Sequence, residues 1–162
     1  MFTGNVWKYG DDVNTDVIFP GRYTYLSLTE EEMGKYALED LDLNFNKSDV
    51  TGNIIAAGKN FGCGSSREQA VKCIKARGIQ AVVTKGFARI FYRNSLNEGL
   101  LVIVCPEAVD HINNGDEISI DMDRSVVITK NEIYSFERYP EFVQEMIAHG
   151  GLIKHVKSLV NK

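Results

Sequence analysis

The stretch Asn53-Ile54-Ile55-Ala56-Ala57-Gly58-Lys59-Asn60-Phe61-Gly62-Cys63-Gly64-Ser65-Ser66-Arg67-Glu68-Gln69-Ala70 passes from an apolar run to a helical pattern through a glycine-rich turn. Residues 53–57 read as a buried strand. Ala70, Cys73 and Ile74 repeat at i, i+3 and i+4, as the inward stripe of a helix does. The intervening loop therefore joins strand to helix, and Gly62 and Gly64 let its backbone turn with positive φ and lie close to a ligand. A helix start offers unpaired N–H groups and the positive end of the dipole, which suits an anion. Two local readings compete. Ser65 with Glu68, and Ser66 with Gln69, each fit a capping box. One serine is enough for a cap, however, and Arg67 directly after the second is a side chain built to grip carboxylate or phosphate. Neither the Rossmann glycine pattern, nor Walker spacing, nor a Gly-x-Ser-x-Gly elbow is present.

Working outward, residues 53–57, 66–77, 80–84, 87–98 and 100–104 read as strand, helix, strand, helix, strand. This βαβαβ unit predicts a parallel core sheet with right-handed crossovers, an α/β fold. The second helix carries Phe87, Ile90, Phe91 and Leu96, and Gly99 lies where its C-terminal stop belongs. The segments 118–120, 125–128 and 133–136 alternate as short strands, with Lys130-Asn131 as a turn, and are expected to form an antiparallel appendage. Helices are expected from Pro140 to His149 and from Leu152 to Val160, separated by Gly150-Gly151. Toward the N-terminus, residues 5–9 form a strand, and Asp11, Asp12, Asn14 and Asp16 follow it. These lack the EF-hand spacing, and turn formation and capping explain them better. Pro20-Gly21 opens an exposed, partly aromatic loop over 20–28, and Thr29 starts a helix to about Asp40. No repeat or linker interrupts the chain, so a single domain over 1–162 is expected.

Composition excludes several function classes. The 162 residues carry a net charge of −4 with no basic run, which gives no reason to expect nucleic acid or a membrane surface as partner. The first residues have no signal-peptide pattern and no apolar run approaches spanning length, so a cytoplasmic, soluble protein is expected. Three widely spaced cysteines argue against a disulfide framework and against a metal ligand set supplied by this chain alone. Cys73 and Cys105 read as core. Cys63 sits in the loop, where a helix start would lower its pKa and make a thiol nucleophile conceivable. His111, His149 and His155 fall outside the loop.

Gly58-Lys59-Asn60-Phe61-Gly62-Cys63-Gly64-Ser65-Ser66-Arg67-Glu68 resembles the signature of the aconitase superfamily's swivelling domain, and in particular the separate small subunit of the 3-isopropylmalate dehydratases. Residues 10–23, Gly10 to Tyr23, are similar to that family's opening motif. Residues 85–94, Lys85 to Asn94, with Asn97 and Gly99-Leu100, are similar to its next one. The resemblance implies an aconitase-type swivelling domain and a hydro-lyase that interconverts 2- and 3-isopropylmalate in leucine biosynthesis. It implies Ser65 as the catalytic base and Ser66 and Arg67 as binders of substrate carboxylates. It also implies a large-subunit partner carrying a [4Fe–4S] cluster, with no metal held by this chain and no activity without the partner. The loop after Pro20-Gly21, with Tyr23, Tyr25, Leu26 and Ser27, is implied to read the substrate's side chain. It lacks the arginine of some relatives, so an apolar substituent suits it better than a third carboxylate. The sequence departs from the family at Gln69, where histidine is common. Arg89 and Arg93 are readable equally as substrate contacts or as internal ion-pair partners. Related dehydratases acting on homoaconitate, methylmalate or dimethylmalate stay open, as does a non-catalytic carboxylate sensor.

Overall fold

The computed structural model describes residues 1–160. Strands β1 (Phe2–Lys8), β2 (Ile54–Ala57), β3 (Ala81–Thr84) and β4 (Leu101–Val104) pair in parallel, with Val6 beside Ile54, Ile55 beside Val82 and Val82 beside Val102. Strand β5 (Glu117–Asp121) pairs antiparallel with the other edge of β1, and β6 (Val126–Ile128) and β7 (Ile133–Ser135) follow it. The order is β4-β3-β2-β1-β5-β6-β7. The expected antiparallel appendage is thus a continuation of the core sheet, joined through β1.

Strands β2, β3 and β4 are apolar at every position but Thr84, because both faces of the sheet are covered over most of their length. Ile55, Ala57, Val82 and Val102 point into one cluster, while Ile54, Ala56, Ala81, Val83, Leu101 and Ile103 point into the other. The short helices α1 (Thr15–Ile18), α2 (Glu30–Gly34) and α3 (Leu43–Lys47) precede β2. The crossovers α4 (Glu68–Ala76) and α5 (Arg89–Glu98) bring Ala70, Val71, Cys73, Ile74 and Phe91 into the first cluster, with Ile18, Phe19, Leu38 and Phe45. The second cluster takes Ala108 and Val109 of α6 (Pro106–His111) with Ile118, Ile120 and Val127. Helices α7 (Glu141–Ala148) and α8 (Leu152–Val160) close the described chain.

Two expectations need correction. The helix expected over 29–40 stops at Gly34, where a Cβ would lie 3.1 Å from Ala76 Cβ, and the chain continues in turns to α3, which the periodicity does not announce. Helix α6 is a further addition, with proline at its first position, where proline is favoured. Helix α4 begins at Glu68, so the residues of the Ser65-Ser66 pair precede it. On α5, Ile90 is 49% exposed, and Phe91 and Ser95 are the buried residues.

Candidate active-site cleft

Residues 58–66 cross the carboxyl ends of the parallel strands between two neighbours. On one side lies the segment after β1. Gly58 N–H donates to the Gly10 carbonyl (3.0 Å), Asp12 N–H to Lys59 (2.9 Å), Gly62 N–H to Val13 (2.7 Å) and Thr15 N–H to Cys63 (2.8 Å). On the other lies the segment after β3, where Phe61 N–H donates to Gly86 (3.0 Å) and Ala88 N–H to Phe61 (2.9 Å). Side chains tighten the first contact. Asp11 Oδ1 accepts from Lys59 N–H (2.7 Å), Asp12 Oδ1 accepts from Asn60 Nδ2 (2.8 Å), and Thr15 Oγ1 donates to the Ser65 carbonyl (2.8 Å). Asn14 caps α1 by accepting from Asp16 and Val17. The acidic cluster therefore caps and clamps, as its lack of calcium spacing implied. Among the described residues no group of three His, Cys, Asp or Glu side chains converges to hold a metal ion.

Gly62 adopts φ +80°, and a Cβ there would overlap the Phe91 ring. Phe61 packs edge-on against Phe91 (centroids 5.3 Å) and Phe87 (6.1 Å), so the turn rests on an aromatic floor laid by α5 and the residues before it.

Neither capping box forms. Arg67 is itself the N-cap of α4, with extended φ and ψ, and no side chain caps the helix. Both serines are exposed, and their hydroxyls are uncommitted to the helix. Arg67 is held instead: Nη2 lies 2.6 Å from Asp16 Oδ1, Nη1 donates to the Phe19 carbonyl at 3.4 Å, and the side chain is 18% exposed. Its guanidinium is thereby fixed with further N–H donors to spare.

Ser65, Ser66 and Arg67 border an open cleft of about 600 Å³, walled on the far side by Phe87–Phe91, Arg93 and Asn94. Asn60 and Thr15 reach it too, and no aspartate or glutamate lines it among the described residues. The amino end of α5, like that of α4, has no side-chain cap, so the unpaired N–H groups of two helix starts adjoin the same space. The structure resolves the reading of Arg89 and Arg93: both are exposed at the cleft, and neither forms an ion pair among the described residues. Their spacing at i and i+4 on one helix was the available signal.

The loop residues lie elsewhere. Tyr23 ends a 3₁₀ turn (Gly21–Tyr23) and stacks on Tyr36 with centroids 3.9 Å apart, packed against the first cluster. Tyr25 is 95% exposed, and Leu26 and Ser27 are exposed as well, so packing beneath the loop does not explain them. None of the four lines the cleft. Cys63 is partly buried, and its thiol pKa is raised, first by burial and then by the charge of Asp12. Both effects oppose thiolate formation and count against a cysteine nucleophile. Cys73 and Cys105 are buried, as expected.

A model of the aconitase C-terminal domain matches residues 21–108. The 3-isopropylmalate dehydratase small subunit of Clostridium botulinum is 48% identical over 96% of this chain and 97% of its own length. That of Heliobacterium modesticaldum is 47% identical over 98% and 96%. This chain belongs to the family of 3-isopropylmalate dehydratase small subunits. A solved structure of the 3-isopropylmalate dehydratase of Methanocaldococcus jannaschii matches with a TM-score of 0.91 at 42% identity, over 98% of this chain and 95% of that one. The small-subunit fold thus holds from β1 through α8, and the aconitase-type match spans the loop, the cleft and the crossover helices.

Two outcomes follow for this small-subunit fold. Gly62→Ala should lower stability by roughly 1–3 kcal/mol through overpacking against Phe91 and an unfavourable φ, measured by urea denaturation; a change near zero would contradict the clamped turn. Alkylation of Cys63 by iodoacetamide should be slow at neutral pH and keep rising with pH where an unperturbed thiol of pKa about 8.5 has levelled off. A plateau below that range would show an activated thiolate instead.

Proposed function

We propose that this chain is the small subunit of a cytoplasmic hydro-lyase that interconverts 2- and 3-isopropylmalate by dehydration and rehydration, a step of leucine biosynthesis. Ser65 serves as base, and Ser66 and Arg67 bind substrate carboxylate. The observation that carries this is the Ser65 hydroxyl: it is not spent on capping α4, it is exposed at the cleft, and its own backbone is pinned by Thr15.

Removing a proton from carbon next to a carboxylate demands a strong base, and a serine is one only when its alkoxide is stabilised. The uncapped start of α4 follows three residues after Ser65, and Arg67 adds guanidinium N–H donors oriented by Asp16. Both are in place before substrate arrives, which is the condition for electrostatic stabilisation without reorganisation. Ser65 takes the proton in dehydration and returns it in rehydration. Ser66 and the remaining Arg67 donors hold the carboxylate next to the reacting carbon, so that the proton is presented to Ser65.

The leaving hydroxyl needs a Lewis acid that this chain's residues do not fit: the three cysteines are far apart in sequence, two are buried, and no ligand group converges among the described residues. A [4Fe–4S] cluster on the large-subunit partner, when bound, supplies that acid. The name of the relatives, small subunit, supports such a partner. The cleft's width and openness on one side, and the exposed Tyr25, Leu26 and Ser27, are consistent with a site completed by docking, in which an uncharged loop meets the substrate's apolar group.

The test is turnover of 2-isopropylmalate by the chain reconstituted anaerobically with its cluster-bearing subunit. Ser65→Ala should lower kcat by about 10²–10⁴-fold with complex formation unchanged. A variant that keeps wild-type kcat would remove Ser65 as base. Carboxylate binding by the chain alone, with no turnover in any wild-type complex, would favour the sensor reading.

A further inference from the structure

The cleft carries more positive charge than the Ser65–Arg67 turn accounts for. Arg67 is already matched, because Asp16 lies 2.6 Å from its Nη2, and the pair contributes little net charge. Arg89 and Arg93 are unmatched. They stand one turn apart on α5, both exposed to the cleft, and neither reaches a carboxylate among the described residues. Arg22, Lys72 and Lys85, by contrast, each meet one.

The placement of these two arginines is locally unfavourable. Arg89 is the first residue of a helix with no cap and no acidic residue in its first turn, so a cation sits at the positive end of the dipole. Arg93 adds a like charge four residues on, which also opposes helix formation. Nothing else in the cleft offsets this, since no acidic side chain lines it among the described residues. Such an arrangement is relieved by an anion from outside, and two unmatched guanidinium groups on one helix face suit a carboxylate.

Resting on the dicarboxylate reading above, we infer that Arg89 and Arg93 are the specificity-determining residues for a dianionic substrate. They bind the carboxylate remote from the one gripped by Ser66 and Arg67. Arg67, neutralised by Asp16, acts chiefly as an oriented hydrogen-bond fork, while the discrimination between dianion and monoanion resides on α5. The open volume of about 600 Å³ between the two walls leaves room for a small diacid to span them.

The experiment uses the complex with the large subunit and two probes that do not turn over, 2-isopropylsuccinate and its monoamide, titrated by calorimetry. The wild-type complex should prefer the diacid by at least about tenfold, and the Arg89→Gln/Arg93→Gln double variant should reduce that preference to below about threefold. In turnover, the double variant should raise KM by at least about tenfold while kcat stays within about threefold. Arg89→Lys/Arg93→Lys, which keeps the charge, should retain most of the preference. Both positions are exposed, so folding is not at stake. A preference that survives in the double Gln variant would overturn the inference. So would an unchanged KM at saturating large subunit with weakened subunit affinity, which would make these arginines docking residues. Should Ser65→Ala stay active while the diacid preference still collapses in the double variant, the base assignment fails and this inference stands.

Discussion

Everything at the cleft depends on how the backbone of residues 58–66 is satisfied. A turn that leaves a strand with glycines at positive φ makes no ladder of its own, and its buried N–H and C=O groups must still find partners. Here they find them on both sides, in the segment after β1 and in the segment after β3. That is why three stretches separated by tens of residues form one object. Without the segment after β1 the turn loses its hydrogen bonds to Gly10, Asp12, Val13 and Thr15; without the segment after β3 it loses those to Gly86 and Ala88 and the aromatic seat of Phe61. A turn clamped in this way fixes the backbone that carries Ser65 and Ser66, while Asp16 and the Phe19 carbonyl fix the Arg67 guanidinium.

Electrostatically the cleft is arranged from parts that do not neutralise themselves. Two helix starts are left uncapped, and the one cation fixed by an internal carboxylate is the one nearest the serines. In the proposed reading the groups divide the work. Ser65 moves the proton, Arg67 orients, and the exposed arginines of α5 answer the substrate's charge. Outside the cleft, Tyr25, Leu26 and Ser27 are exposed, the segment the proposed reading gives to the substrate's apolar group.

Much of this was legible in the sequence because local chemistry and global packing agree. The apolar runs at 53–57, 80–84 and 100–104 could only be strands covered on both faces, and Gly99 ends α5 where expected. The nearness of Ser65, Ser66 and Arg67 at one helix start was legible too. What was not legible came from tertiary contact. Gly34 meets Ala76 on α4 and ends a helix whose periodicity ran on. The Ser-x-x-Glu spacing suggested a cap, yet Thr15 draws the Ser65 carbonyl aside and α4 starts later. Asp16, which reads locally as part of a turn, is the partner of Arg67, a pairing across 51 positions of chain that no local pattern reveals. Ile90 looks apolar and therefore inward, although its helix face belongs to the cleft.

The most direct measurement is the crystal structure of the complex between this chain and its cluster-bearing large subunit, with a non-reacting alkylsuccinate bound. Ser65 Oγ should lie within about 3–3.5 Å of the carbon that would lose its proton, with a carboxylate oxygen on Ser66 and Arg67. A diacid bound with Ser65 turned away, and another base at that carbon, would contradict the assignment of Ser65 as base.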